Sequence, residues 1–161
     1  MEALLELTVG LPELELATGD VLLHEGEDTD HLYVLVEGAL VVRRGDEDYI
    51  AIDAPGACVG ELAVLLHRPH TASVVATAPS RLRVIEHAEA ALDDNPQVLH
   101  AVAVLLARRL DLVNTYLGDL QHQYRDHDGG LGLVGDVLKS LASHHGDELE
   151  PGSEREPDPL Y

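Results

Sequence analysis

The sequence predicts a mainly β chain with helices: an antiparallel β-roll, a jelly-roll-like barrel, flanked by helices and followed by a long C-terminal dimerisation helix. Three observations carry this expectation. Short runs rich in Val, Leu and Ile, punctuated by glycine, fill residues 14–86. After Ile85 the apolar spacing changes from that of strands to that of helices. The core must be aliphatic, because the 161 residues contain no Phe and no Trp while 45% are hydrophobic.

Strands are expected at Glu13–Ala17, Val21–His24, His31–Glu37, Ala39–Arg43, Tyr49–Asp53, Ala72–Thr77 and Arg81–Ile85. Turn signals separate most of them, among them Thr-Gly-Asp, Glu-Gly-Glu-Asp, Arg-Gly-Asp-Glu-Asp, Ala-Pro-Gly and Ala-Pro-Ser. Short strands at this spacing make an antiparallel barrel or sandwich. The stretch Gly60–Leu65 breaks the rhythm and reads as a single helical turn between two strands.

Helices follow over 87–125. Asn95 is a good N-cap, Pro96 suits the first helical position, and nothing interrupts the pattern before Gly118. Leu106, Leu110, Val113, Leu117, Leu120 and Tyr124 are spaced alternately four and three apart, a coiled-coil seam. Leu99, Val102, Leu105, Leu112 and Tyr116 form a second apolar face for the roll, so a homodimer along Pro96–Tyr124 is expected. The domain is placed at 1–125, with the roll at 13–86. Residues 126–161 are read as an appendage: a short amphipathic helix with Leu131, Val134, Val137, Leu138 and Leu141, then an acidic, proline-bearing, disordered tail.

The chain carries 30 Asp and Glu against 10 Lys and Arg, a formal net charge of −20. That field repels phosphate backbones and anionic lipid, so neither direct DNA binding nor a membrane role is expected. The apolar runs are too short to span a bilayer, and the start lacks a basic segment followed by an apolar one. Cys58 is the single cysteine, which excludes an intramolecular disulfide and fits a reducing, cytoplasmic setting. Cys58 reads as a small buried residue, and Arg43–Arg44 and Arg108–Arg109 as solvated charges. The Asp126-His127-Asp128 and His144–His145 groups match no metal-ligand spacing, and no metal is expected. No nucleophile elbow, P-loop or Cys/His pair is present, so the chain is read as a non-enzyme.

The chemistry concentrates at residues 59–74, VGELAVLLHRPHTASV. A glycine before a helical turn lets a ligand approach the backbone, and the first N–H groups of that turn are free to meet an anion. This puts main-chain donors at Gly60–Ala63, with Glu61 able to accept from a hydroxyl. Eight residues after Glu61 the Pro69–Thr71 step starts a strand, offering His70, the Thr71 hydroxyl and the Ala72 N–H. These groups suit a small, polar, singly anionic ligand. On spacing alone a second reading stands level with it, a barrel loop whose Glu61 caps its own turn.

Residues Gly19 to Tyr124 resemble the cyclic nucleotide-binding domain family. GDVLLHEGEDTDHLYVLVEGALVV is similar to its opening strands, VGELAVLLHRPHTASV to its phosphate-binding cassette, and NPQVLHAVAVLLARRLDLVNTYLGDL to the helices that follow. The resemblance implies a ligand, cyclic AMP or cyclic GMP, and no other cofactor. It implies main-chain contacts from Gly60, Leu62 and Ala63, and Glu61 on the ribose 2′-hydroxyl. Thr71 and Ala72 would meet phosphate oxygens, and Val113 and Asn114 match base-contacting positions. Relatives in the catabolite-activator branch have two hydroxyl residues there. Thr71 is a feature of relatives that tolerate guanine.

The resemblance places an arginine where this chain has His70. An imidazole near its usual pKa of about 6.5 is only about a quarter protonated at pH 7 and offers a single donor. Losing a charge-assisted hydrogen bond costs about 1.5–3 kcal/mol. If His70 pairs with the phosphate, affinity rises as pH falls. The function read from the sequence is a stand-alone cyclic nucleotide sensor that signals to an unknown protein partner by helix rearrangement. The alternative is a degenerate domain that binds no nucleotide and serves as a dimeric adaptor.

Overall fold

The computed structural model describes residues 2–123. The expected 131–142 helix, the acidic tail, Tyr124 and the histidine groups at 127 and 144–145 lie outside the described residues. The chain divides into one unit ending at Ala107 and a second beginning at Arg108.

The first unit begins with α1 (Glu2–Leu7), a helix with no counterpart in the sequence expectations. Six residues cannot hold a helix alone. Burial and bonding hold this one: Leu4 is buried, the Thr8 hydroxyl closes the last turn by donating to the Leu4 carbonyl at 2.6 Å, and the distant Arg83 Nη1 donates to the Leu5 carbonyl at 2.5 Å.

The roll follows as β1 (Glu13–Leu16), β2 (Val21–Leu23), β3 (His31–Glu37), β4 (Leu40–Arg44), β5 (Glu47–Ile52), β6 (Cys58–Val59), β7 (Ser73–Ala76) and β8 (Ser80–Glu86). Each of the seven expected strands is present, with ends shifted by up to two residues. β6 is the addition: two residues that the sequence could not distinguish from loop, held because Tyr33 pairs Val59 and Val34 pairs Cys58. The strands form two four-stranded sheets, β1-β8-β3-β6 and β2-β7-β4-β5, with antiparallel neighbours. The antiparallel roll is therefore as expected, but the sheets are not closed into a barrel. The edge strands of the two sheets share no ladder.

Alternation along β3 sets the two cores. Leu32 and Val34 point to a helix-side cluster with Leu4, Cys58, Ile85 and Leu92, and Leu35 points to the roll interior with Leu23, Leu40, Val59 and Leu82. The helix α2 (Glu61–Leu66) lies between β6 and β7, and Val64 anchors it in the helix-side cluster. Two helices then follow, α3 (Ala88–Asp94) and α4 (Pro96–Gln123). As expected, Asn95 caps α4: its Oδ1 accepts from the N–H groups of Gln97 at 3.2 Å and Val98 at 3.3 Å. Gly118 does not interrupt the helix. Val98, Val102 and Leu105 are buried in the helix-side cluster. In the second unit Leu110, Leu112, Val113 and Tyr116 are exposed.

Candidate functional site

Gly60 joins β6 to α2 in the left-handed region, at φ 91°. A Cβ at this position would lie 2.7 Å from the His31 carbonyl oxygen. Both the dihedral and the contact require glycine there. The turn that follows has Glu61, Ala63 and Val64 buried, while Leu62 and Leu66 face outward. Glu61 is only 4% exposed, a buried carboxylate in the first turn of α2.

The end of α2 folds the chain back on itself. His67 takes the left-handed conformation with φ 49°, and the Arg68 N–H donates to the Ala63 carbonyl at 3.1 Å. Thr71 and Ala72 are half-buried and lead into β7, which begins at Ser73 rather than at Ala72 as expected. The cassette thus brings Gly60, Glu61, Leu62 and Ala63 onto one turn, with His70, Thr71 and Ala72 on the loop that returns from it.

His70 has a defined set of partners. It is buried, its Nε2 lies 2.8 Å from the Thr29 hydroxyl, and its backbone is clamped on both sides. Its carbonyl accepts from the Gly26 N–H at 2.8 Å, and its N–H donates to the Glu27 carbonyl at 2.9 Å. Burial holds the imidazole below its usual pKa of 6.5, against the opposing pull of the Glu27 and Asp28 carboxylates. Burial and Glu27 likewise push the Tyr33 hydroxyl upward. The sequence marks only a Glu-Gly-Glu-Asp turn at 25–28, and nothing in HEGEDTD signals a tertiary partner for Thr29.

Arg68 is half-buried, and its Nε is buried with no hydrogen-bond partner among the described residues. Val113 and Asn114 lie on α4 in the second unit, both exposed. Their expected part in holding a base rests on the resemblance alone. Among the described residues no helix is long and apolar enough to cross a membrane.

The chain has counterparts among known proteins. The family model "Cyclic nucleotide-binding domain" matches residues 13–92, the roll together with the first helix after it. A "CRP-like cAMP-activated global transcriptional regulator" from Mycobacterium tuberculosis is 31% identical over 126 residues, covering 73% of this chain and 55% of that protein. The chain therefore spans about half the length of the curated relative it matches. The crystal structure of the N-terminal domain of a transcriptional regulator from Streptomyces coelicolor A3(2) is 31% identical, with a TM-score of 0.52, covering 72% of this chain and 85% of that one. A structure described by the words "A cyclic-GMP-dependent signalling pathway regulates bacterial phytopathogenesis" is 25% identical, with a TM-score of 0.55, covering 66% of this chain and 91% of that one. This chain belongs to the cyclic nucleotide-binding domain family.

Proposed function

We propose that this chain is a non-catalytic sensor that binds cyclic AMP or cyclic GMP on the 60–72 cassette. The single observation that carries the reading is the Gly60–Glu61 step: a left-handed glycine pressed against the His31 carbonyl, followed by a carboxylate buried at the start of a turn. Main-chain N–H groups of Gly60, Leu62 and Ala63 meet the phosphate and sugar, and Glu61 accepts from the ribose hydroxyl. Thr71 and Ala72 contribute hydroxyl and N–H to the phosphate oxygens. His70, bonded to Thr29, fixes the loop that carries Thr71. Thr71 leans the preference towards cyclic GMP, and the relatives include one named as cAMP-activated and one described with a cyclic-GMP-dependent pathway.

The signal leaves by two routes. Asp30 follows the loop that clamps His70, and it holds the start of α3, so movement of the cassette reaches the helices. The exposed apolar residues Leu110, Val113 and Tyr116 on α4 offer a surface for a second copy, and a homodimer along this helix would carry the change to a protein partner. A ligand drives that shift only through its differential affinity for the two states.

A second reading has one observation behind it: a neutral His70 committed to Thr29 supplies no charge to a phosphate. On that reading the domain binds no nucleotide and acts as a dimeric adaptor. A thermal-shift screen with cyclic AMP and cyclic GMP separates the two, since a ligand held only by the folded state raises the melting temperature. A rise that Glu61→Ala abolishes supports the sensor. No rise with either nucleotide at millimolar concentration leaves the adaptor.

A further inference from the structure

The cassette's ligand is an anion, yet the side chain expected to face it is a buried imidazole held by Thr29 among carboxylates. Three of the cations of the roll are otherwise engaged. Arg43 pairs Asp48 at 2.7 Å, Arg81 pairs Glu13 at 2.8 Å and Glu37 at 3.2 Å, and Arg83 pairs Glu13 at 3.4 Å while also holding α1. Arg44 is exposed in the β4–β5 hairpin, across the ladder from Glu47. Arg68 differs from all of these. It is the one Lys or Arg between Arg44 and Arg81, and it lies on the loop that returns from α2 towards Thr71. Its backbone is fixed to Ala63, yet its buried Nε finds no acceptor among the described residues.

A guanidinium keeps its proton, so it cannot escape that burial by becoming neutral. A buried donor without an acceptor is unfavourable, and a phosphate oxygen is the strongest acceptor that the proposed ligand brings. Resting on the reading of this turn as a cyclic nucleotide site, we propose that Arg68 supplies the positive charge that pairs with the cyclic phosphate, in place of a cation at position 70. The guanidinium then acts from two residues upstream of the position the family pattern gives a cation, while His70 is tied to Thr29.

The test is calorimetric titration of the full chain with cyclic AMP and cyclic GMP at low and raised salt, comparing wild type with Arg68→Met and Arg68→Lys. Methionine keeps the apolar stem and removes the charge. Arg68→Met is expected to bind about ten- to a hundredfold more weakly, to lose most of the salt dependence, and to melt no lower than wild type without ligand. Arg68→Lys should retain the salt dependence and most of the affinity. If wild type binds and Arg68→Met binds equally tightly, Arg68 is not the counter-charge and the sensor reading stands without it. If both variants lose affinity alike and both melt lower without ligand, the side chain is packing only, and the proposal fails. If wild type binds neither nucleotide, the sensor reading falls and this proposal with it.

Discussion

The Nε2 of His70 lies 2.8 Å from the Thr29 hydroxyl, joining the return loop of the cassette to the loop after β2. Two main-chain bonds, Gly26 N–H to His70 and His70 N–H to Glu27, flank it, and the Ser73 hydroxyl accepts from the Glu25 N–H at 2.9 Å. The segment 70–73 is thereby stitched to 25–29. The histidine that replaces the expected arginine is thus a joint between two loops.

Breaking that joint should cost stability in a pH-dependent way. Thr29→Val leaves a buried ring nitrogen without its partner and is expected to cost about 1–3 kcal/mol. Because burial lowers the His70 pKa, the folded protein takes up that proton less readily than the unfolded chain. The stabilisation from neutral His70 is therefore complete above about pH 6.5 and is lost as pH falls through the lower folded-state value. Melting curves from about pH 7.5 to about pH 5 should fall more steeply for wild type than for His70→Gln. Equal slopes would remove His70 from the account of acid sensitivity. On the same grounds nucleotide affinity should not rise between about pH 7.5 and about pH 6.5, contrary to what phosphate pairing by His70 predicts.

Gly60→Ala tests the backbone of the site. The substitution forces a side chain into left-handed φ, which costs about 1–2 kcal/mol, and presses its Cβ on the His31 carbonyl. A loss of about 2 kcal/mol or more is expected in urea unfolding, with nucleotide binding weakened in whatever protein remains folded. Gly19→Ala is a useful contrast, because that glycine also has positive φ but has open space around it, so it pays the strain without the clash. If the two variants unfold at the same urea concentration, the contact with His31 has no energetic weight.

The roll was legible because its signals are local. Alternating aliphatic residues bounded by Gly and Pro identify β3 and β4, and Asn95-Pro96 marks the start of α4 by a cap that forms as read. What stayed hidden depends on partners distant in sequence. α1 exists through Arg83, β6 through two residues of β3, and the role of His70 through Thr29, forty-one positions away. The site divides in the same way. Gly60 and Glu61 can be read from spacing, since a glycine before a turn has a backbone reason to be there, whereas the direction an imidazole takes is set by packing.

The exposed face of α4 gives a test of assembly. Leu110 is 51% exposed and Val113 50%, one turn apart on the expected seam. Apolar side chains left in water on consecutive turns favour a partner helix. Leu110→Glu with Val113→Glu should shift the chain from dimer to monomer in sedimentation equilibrium, with little effect on the roll, whose core lies in the first unit. A wild-type chain that sediments as a monomer at high micromolar concentration would remove dimerisation along this helix.

Asp30 carries the last prediction, because it stands where the clamped loop meets the helices. Its Oδ1 accepts from the Glu89 N–H at 3.0 Å, and its carbonyl accepts from the Ala88 N–H at 3.1 Å. The N-cap residue of α3, His87, is in the left-handed conformation and makes no side-chain cap. An aspartate fifty-nine positions away thus caps α3, satisfying N–H groups that its own N-cap leaves bare. Asp30→Ala should cost about 1 kcal/mol, the usual worth of a cap. Asp30 makes none of the proposed ligand contacts, so affinity should change by no more than a few-fold. The sharper expectation concerns coupling. In hydrogen exchange with saturating nucleotide, wild type should gain protection at 88–94, and Asp30→Ala should bind yet lose that gain. A variant that binds and still transmits full protection to α3 would mean that the signal travels through α2 and the core, with Asp30 serving as a cap alone.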